Sequence, residues 1–340
     1  MELLKRTQEL CALSGISGDE GKVAEYITNR IKDYCDYHID GLGNLIAFKK
    51  GKKTPAKKLM LNAQMDEVGF VVTYISGDGT LKFQAVGGVD PAAVVGRRVL
   101  VGKKAIPGVV GTAPIHLMEA AACDKAVKMD ELYIDIGADS KEEAEILVKP
   151  GDSVTFEAGF ATLGDGFVMG KALDDRAGCA MLIQLIQREL EYDCTFAFTV
   201  QEEIGCVGAK AAAYAVKPDV SIIVETTTAG DLAGVAPNKK VCALKKGPVV
   251  PFMDRGTVYD RELYDRAHAV AEKLGIPCQT KEGVYGGTEG RSIQTAGAGA
   301  KVLAVSLPCR YLHSASCLLA EQDMQDELRL LSGLIEEFAK

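Results

Sequence analysis

Apolar residues recur at two different spacings along this chain, and the change from one to the other divides it. Met1 to Cys11 and Asp19 to Cys35 carry apolar positions at helical spacing, with Val23, Ile27 and Ile31 four apart, so two helices are predicted at the start. Between them the run from Ser14 to Glu20 reads as a turn that caps the second helix. Asp40-Gly-Leu-Gly-Asn44 is turn chemistry, and the apolar runs Leu45–Phe48 and Lys58–Ala63 that follow predict a pair of strands.

From Val68 to about Gly164 the texture changes. Short alternating runs, Phe70–Tyr74, Leu81–Phe83, Arg98–Val101, Gly108–Gly111, Leu132–Ile136 and Ser153–Phe156, are separated by Gly, Pro and Asp. Many short strands with frequent turns predict a small β-barrel, interrupted by one helical stretch from Ser140 to Leu147. After Gly170 helices and apolar strands alternate: a helix over Ala177–Arg188, a strand over Thr195–Val200, a helix over Ala209–Ala215, a strand over Val220–Val224, a helix over Tyr259–Leu274 and a strand over Ala300–Val305. That order predicts a three-layer α/β/α fold on a mainly parallel sheet. A last helix, with Met324, Leu328, Leu331, Ile335 and Phe338 at steps of three and four, lays one face on the sheet. The expected organisation is therefore an α/β domain formed by residues 1–67 and 165–340, with a β-barrel domain, residues 68–164, inserted into it.

Composition narrows the function. In 340 residues, 47% are hydrophobic and 25% charged, as in ordinary globular enzymes. A formal charge of −8 and a pI near 5.3 argue against a nucleic-acid or membrane-surface partner, both of which call for a basic face. No apolar stretch is long enough to span a bilayer, and the first residues read as helix rather than as a signal peptide, so a cytoplasmic location is expected. Ten cysteines occur without a CxxC pair, which suits buried thiols in a reducing compartment better than disulfides or a zinc knuckle.

Candidate chemistry gathers at predicted strand ends, where folds of this class place their ligands. Glu202 and Glu203 follow the apolar run ending at Val200, so one can face a metal while its neighbour faces the attacking water. Gln64-Met65-Asp66 follows the second strand, Asp174-Asp175 precedes a helix, Glu225 closes a strand and His313 follows another. Carboxylates and a histidine from separate strands are what a binuclear divalent site uses. Each also has a plain structural reading: Asp174 or Asp175 as a helix cap, Glu225 as a loop carboxylate, His313 as a hydrogen-bonded surface histidine.

The set Met65-Asp-Glu-Val-Gly-Phe70, Gly170-Lys-Ala-Leu-Asp-Asp-Arg176, Gln201-Glu-Glu-Ile-Gly205, Gly286-Gly-Thr288 and Arg310-Tyr-Leu-His-Ser314 resembles the M42 family of dinuclear metallo-aminopeptidases, which includes glutamyl aminopeptidases and tetrahedral TET peptidases. The likeness extends from the turn at Gly15–Glu20 to the last helix and takes in Gly108-Val-Val-Gly-Thr-Ala-Pro-Ile-His-Leu117, so it covers nearly the whole chain. It implies a metal-dependent aminopeptidase acting on short peptides. Asp174 would bridge two divalent ions, zinc or else cobalt or manganese; Glu203 and His313 would complete one position and Glu225 would help form the other. Glu202 would be the general base, and Asp66 would orient the ligand at position 64. The inserted barrel would act as a lid and assembly domain, and the chain would form homo-oligomers, from dimers to dodecamers.

Two departures from the family pattern stand out. Gln64 occupies a position where the family has histidine, so one ion position is expected to be weak, selective for a harder ion, or empty. Glu289 stands where the family usually has Asp, which puts the substrate pocket beside Gly286–Thr288 in question. Two rival readings stand beside the aminopeptidase: a deblocking or deacylating amidohydrolase, for which the same metal centre would serve, and a non-catalytic assembly-forming or peptide-binding protein, which Gln64 favours. His116 and His268 read as structural, whereas Lys171 and Arg176 would either hold Asp174 by charge or lie in solvent.

Overall fold

A computed structural model describes residues 2–114, 116 and 126–340. Helices α1 (Glu2–Cys11) and α2 (Gly21–Ile31) lead into β1 (Asp36–Ile39), β2 (Leu45–Lys49) and β3 (Leu59–Gln64). Then come β4 (Gly69–Ile75), β5 (Leu81–Val86), β6 (Arg98–Val101), β7 (Ile106–Gly111), β8 (Tyr133–Asp135), helix α3 (Lys141–Leu147) and β9 (Ser153–Phe156). These strands close into an antiparallel barrel in the order β4-β5-β8-β7-β6-β9. Its interior is filled by Phe70, Phe83 and Phe156 with Val99, Val101, Ile134 and Val154, the inward half of each alternating run.

Beyond the barrel run β10 (Ala161–Leu163), β11 (Phe167–Gly170), α4 (Leu173–Ile186), β12 (Cys194–Thr199), α5 (Val207–Val216), β13 (Val220–Thr228), β14 (Val249–Val250) and α6 (Arg261–Lys273). The chain ends with β15 (Gln279–Thr280), α7 (Gly290–Ile293), β16 (Lys301–Cys309), β17 (Cys317–Ala320) and α8 (Glu321–Phe338). The large sheet has the order β1-β2-β12-β3-β13-β16-β14-β15. Its centre, β12-β3-β13-β16, is parallel, and antiparallel pairs flank it. Every residue of β3 and β12 is buried, as expected where helices cover both faces.

The parallel centre and the barrel match the periodicity, and the differences lie at the edges. The strand β1 is exposed throughout, so it has no apolar alternation to reveal it. A separate antiparallel sheet, β10-β11-β17, was not expected from the sequence; it pairs Gly170 with Cys317 and thereby brings the start of α4 beside the loop that carries His313. The span assigned to α4 opens at Leu173, but Asp174 and Asp175 have non-helical backbone angles, so the regular helix starts beyond them, close to the Ala177 start predicted.

One turn motif acts at a distance. Asn44 donates to Asp40 Oδ2 and to the Gly208 carbonyl, and it accepts from the Val200 amide, which ties the exit of β12 to the start of α5. A Cβ at Gly208 would lie 2.3 Å from Asn44 Oδ1 and 2.4 Å from the Val200 carbonyl, so only glycine allows this approach.

Candidate active site

The C-terminal ends of the parallel strands meet the barrel at a cleft of about 690 Å³. Gln64 is the last residue of β3, Glu202 and Glu203 lie just past β12, Glu225 sits in β13, Asp174 opens α4, and His313 occupies the loop between β16 and β17. All six line that cleft. Asp174, Glu203 and His313 offer ligand atoms within 4.8 Å of one another, and Asp174, Asp175 and Glu225 form a second such group. His313 Nε2 is 3.5 Å from Asp174 Oδ2 and 3.4 Å from Glu203 Oε2. Its Nδ1 lies 2.8 Å from the Gly88 carbonyl of the barrel; donation there fixes the tautomer and leaves Nε2 facing the carboxylates.

The site is crowded with acid. Among the described residues no lysine or arginine pairs with Asp174, Glu202, Glu203 or Glu225, and the ion pairs of Asp174 and Glu203 run to His313. Burial pushes the Glu202 carboxyl up to about 7. Burial, then the neighbouring Asp174 charge, holds Glu203 and Glu225 well above the usual carboxylate range. Burial works against the His313 imidazolium, but the hydrogen bond to Asp174 and the charges of Glu203 and Asp174 outweigh it and raise the ring to about 10. Asp174 Oδ1 is buried without a hydrogen-bond partner. Repelling carboxylates, an orphaned oxygen and an imidazole nitrogen turned inward are a donor set suited to divalent cations.

Supporting residues behave differently from the simplest sequence reading. Asp66 is fully buried and accepts from Ser17 Oγ (2.6 Å) and from the Glu202 and Glu203 amides (3.0 and 3.1 Å). Its carboxylate therefore fixes the Glu202–Glu203 backbone, and these bonds do not involve the Gln64 amide. Asp175 accepts from the Gly178 amide as a helix cap does. Lys171 and Arg176 are buried and lie around Glu67, not in solvent. Lys171 Nζ contacts both Glu67 oxygens at 2.6 and 2.8 Å, and Arg176 donates to the Met65, Leu10 and Gly15 carbonyls.

Glu289 is also buried. It accepts from Asn62 (2.6 Å) and Thr199 (2.8 Å), and burial raises its carboxyl to about 8. The cleft wall beside it is made by Gly286, Gly287 and Thr288, and Glu289 itself belongs to a buried network behind that wall. His268 stacks edge-on against Tyr264 at 4.6 Å on α6, away from the cleft. His116 is exposed, and its neighbours Ile115 and Leu117 lie outside the described residues. No local pattern signals that the Cys206 thiol lies 3.1 Å from Glu202 Oε1.

A parallel sheet with carboxylates and a histidine converging at its C-terminal edge, roofed by a barrel, defines a metal-dependent peptide hydrolase of the aminopeptidase class. Residues 43–330 match the model for M42 glutamyl aminopeptidase, and the chain belongs to that family. It is 34% identical over 348 residues to the lysyl aminopeptidase of Pyrococcus furiosus, covering 99% of this chain and 96% of that one. An aminopeptidase from Desulfurococcus kamchatkensis superposes with a TM-score of 0.93 at 31% identity, covering 98% of this chain and 94% of that one. The TET1 peptidase of Pyrococcus horikoshii, which can assemble into a tetrahedron or a large octahedral shell, superposes with a TM-score of 0.88 at 35% identity and covers 98% of both chains. Among the described residues no helix is long and apolar enough to cross a membrane.

Proposed function

We propose that this aminopeptidase releases single residues from the free N-terminus of short peptides, with two divalent ions held by Asp174, Glu203 and His313 on one side and Asp174, Glu225 and Gln64 on the other. The observation that carries this reading is the convergence of Asp174, Glu203 and His313 from three separate segments within 4.8 Å. When bound, the ions polarise the scissile carbonyl and acidify water. The chain's own groups do the rest. Glu202, beside the ligands but outside both groups of three, accepts the proton of the attacking water and delivers it to the departing amine. Asp66 keeps Glu202 and Glu203 in place through their backbone amides. The carboxylates of the cleft hold the substrate's ammonium group, which restricts attack to the first peptide bond. The barrel serves as the lid, since Gly88 already braces His313.

The likeness to a shell-forming peptidase supports self-association, from a dimer up to twelve subunits, and the acidic charge suits a cytoplasmic enzyme. Zinc is the ion proposed for the position with an imidazole donor, with cobalt and manganese as alternatives. Paired substrates test the reading. Peptides with a free N-terminus are expected to lose residues one at a time, their N-acetylated counterparts to remain intact, and a chelator to stop turnover. Faster release from the acetylated peptides would instead identify a deblocking amidohydrolase.

A further inference from the structure

Gln64 is 2% exposed, and its side-chain amide is only half satisfied. Its Nε2 approaches Glu203 Oε1 at 3.5 Å, while Oε1 is buried and has no hydrogen-bond partner. Turning the amide over would set two acceptor oxygens against each other, so the amine faces Glu203 and the carbonyl faces elsewhere. The register of β3 on β13 pairs Leu61 with Ile222 and Asn62 with Ile223. Gln64, two residues further along β3, lines the same cleft as Asp174 and Glu225. An orphaned carbonyl therefore shares the cleft with Glu225, a carboxylate with no basic partner among the described residues that belongs to the Asp174–Asp175–Glu225 group.

We propose, building on the two-ion reading above, that the two ion positions of this chain are chemically unequal: Asp174, Glu203 and His313 hold a zinc-class ion, whereas Asp174, Glu225 and Gln64 form an all-oxygen position that takes a hard divalent ion such as Mn²⁺ or Mg²⁺. The donor atoms carry the argument. Imidazole nitrogen favours zinc and its neighbours in the transition series, while carboxylate and carbonyl oxygen suit manganese and magnesium. Only the first position includes a nitrogen. The amide oxygen also lacks the negative charge of a carboxylate, so the second position binds zinc more weakly than it would with histidine.

Metal content per subunit tests this without reference to turnover. The metal-stripped full chain is dialysed against Zn²⁺ alone, or against Zn²⁺ with excess Mn²⁺, and the ions are counted by mass spectrometry after desalting. The wild-type chain is expected to retain one zinc in the first case and one zinc with one manganese in the second, the manganese being visible by electron paramagnetic resonance. Gln64→His is expected to retain two zinc ions, with the second held at least about 10-fold tighter than in the wild type, since even groups that only support metal ligands change affinity by about 10–100-fold. Two zinc ions bound with equal affinity by the wild-type chain would overturn the inequality and leave the peptidase reading intact. Failure to retain even one zinc would overturn the peptidase site itself. The wild-type counts decide the matter even if the histidine variant folds poorly, which circular dichroism reveals.

Discussion

Glu202→Gln is expected to lower kcat by about 10²–10⁴-fold, the usual worth of a general acid–base group, while the fold, the metal content and substrate affinity stay close to wild type. The side chain keeps its volume and its place beside Cys206, and Glu203, the ligand proposed next to it, keeps its amide bond to Asp66. Only the capacity to accept a proton is lost. That capacity is set by position: burial raises the Glu202 carboxyl to about 7, so near neutral pH it can both take and return a proton. Steady-state rates on a dipeptide, measured beside metal counts for both proteins, check the assignment. A variant turning over within about twofold of wild type, with both ions bound, would remove Glu202 from the chemistry.

Glu67→Gln is expected to have the largest effect on stability. Lys171 and Arg176 are buried, and Glu67 is the carboxylate that faces them both. The carbonyls of Leu10, Leu13, Gly15 and Met65 complete the shell, tying α1 and the first turn to the exit of β3 and the start of α4. Removing that negative charge leaves two buried cations without it, a change that costs about 3–5 kcal/mol when a buried ion pair loses one partner. Burial already disfavours the charged form of Lys171, with the Glu67 charge opposing that effect. Denaturant unfolding of the metal-free protein measures the loss. A shift below about 1 kcal/mol would mean that backbone carbonyls alone are enough to hold the pair.

Much of this was legible in the sequence because it is written in periodicity. The helical faces, the apolar runs of β3 and β12 and the alternating strands of the barrel follow from side-chain spacing, and the strand ends then mark where Gln64, Glu202, Glu203 and Glu225 can meet. Pairing between distant strands leaves no such trace. Nothing local in Gly170 or Cys317 shows that β11 and β17 lie side by side, yet that contact brings Asp174 to His313. The direction of a charged side chain is equally silent: Lys171 and Arg176 read as well in solvent as in the interior. Asp66 shows the same limit, for its position in the motif marks it as a supporting group but not which backbone amides it receives.

The central claim is that Asp174, Glu203 and His313 share one cation, and anomalous diffraction from zinc-loaded crystals tests it most directly. The expected result is a zinc peak about 2.0–2.1 Å from His313 Nε2 and about 2.0–2.2 Å from an oxygen of each carboxylate. A zinc-loaded protein whose peaks all lie elsewhere, with His313 still held only by Gly88 and the neighbouring carboxylates, would contradict the account.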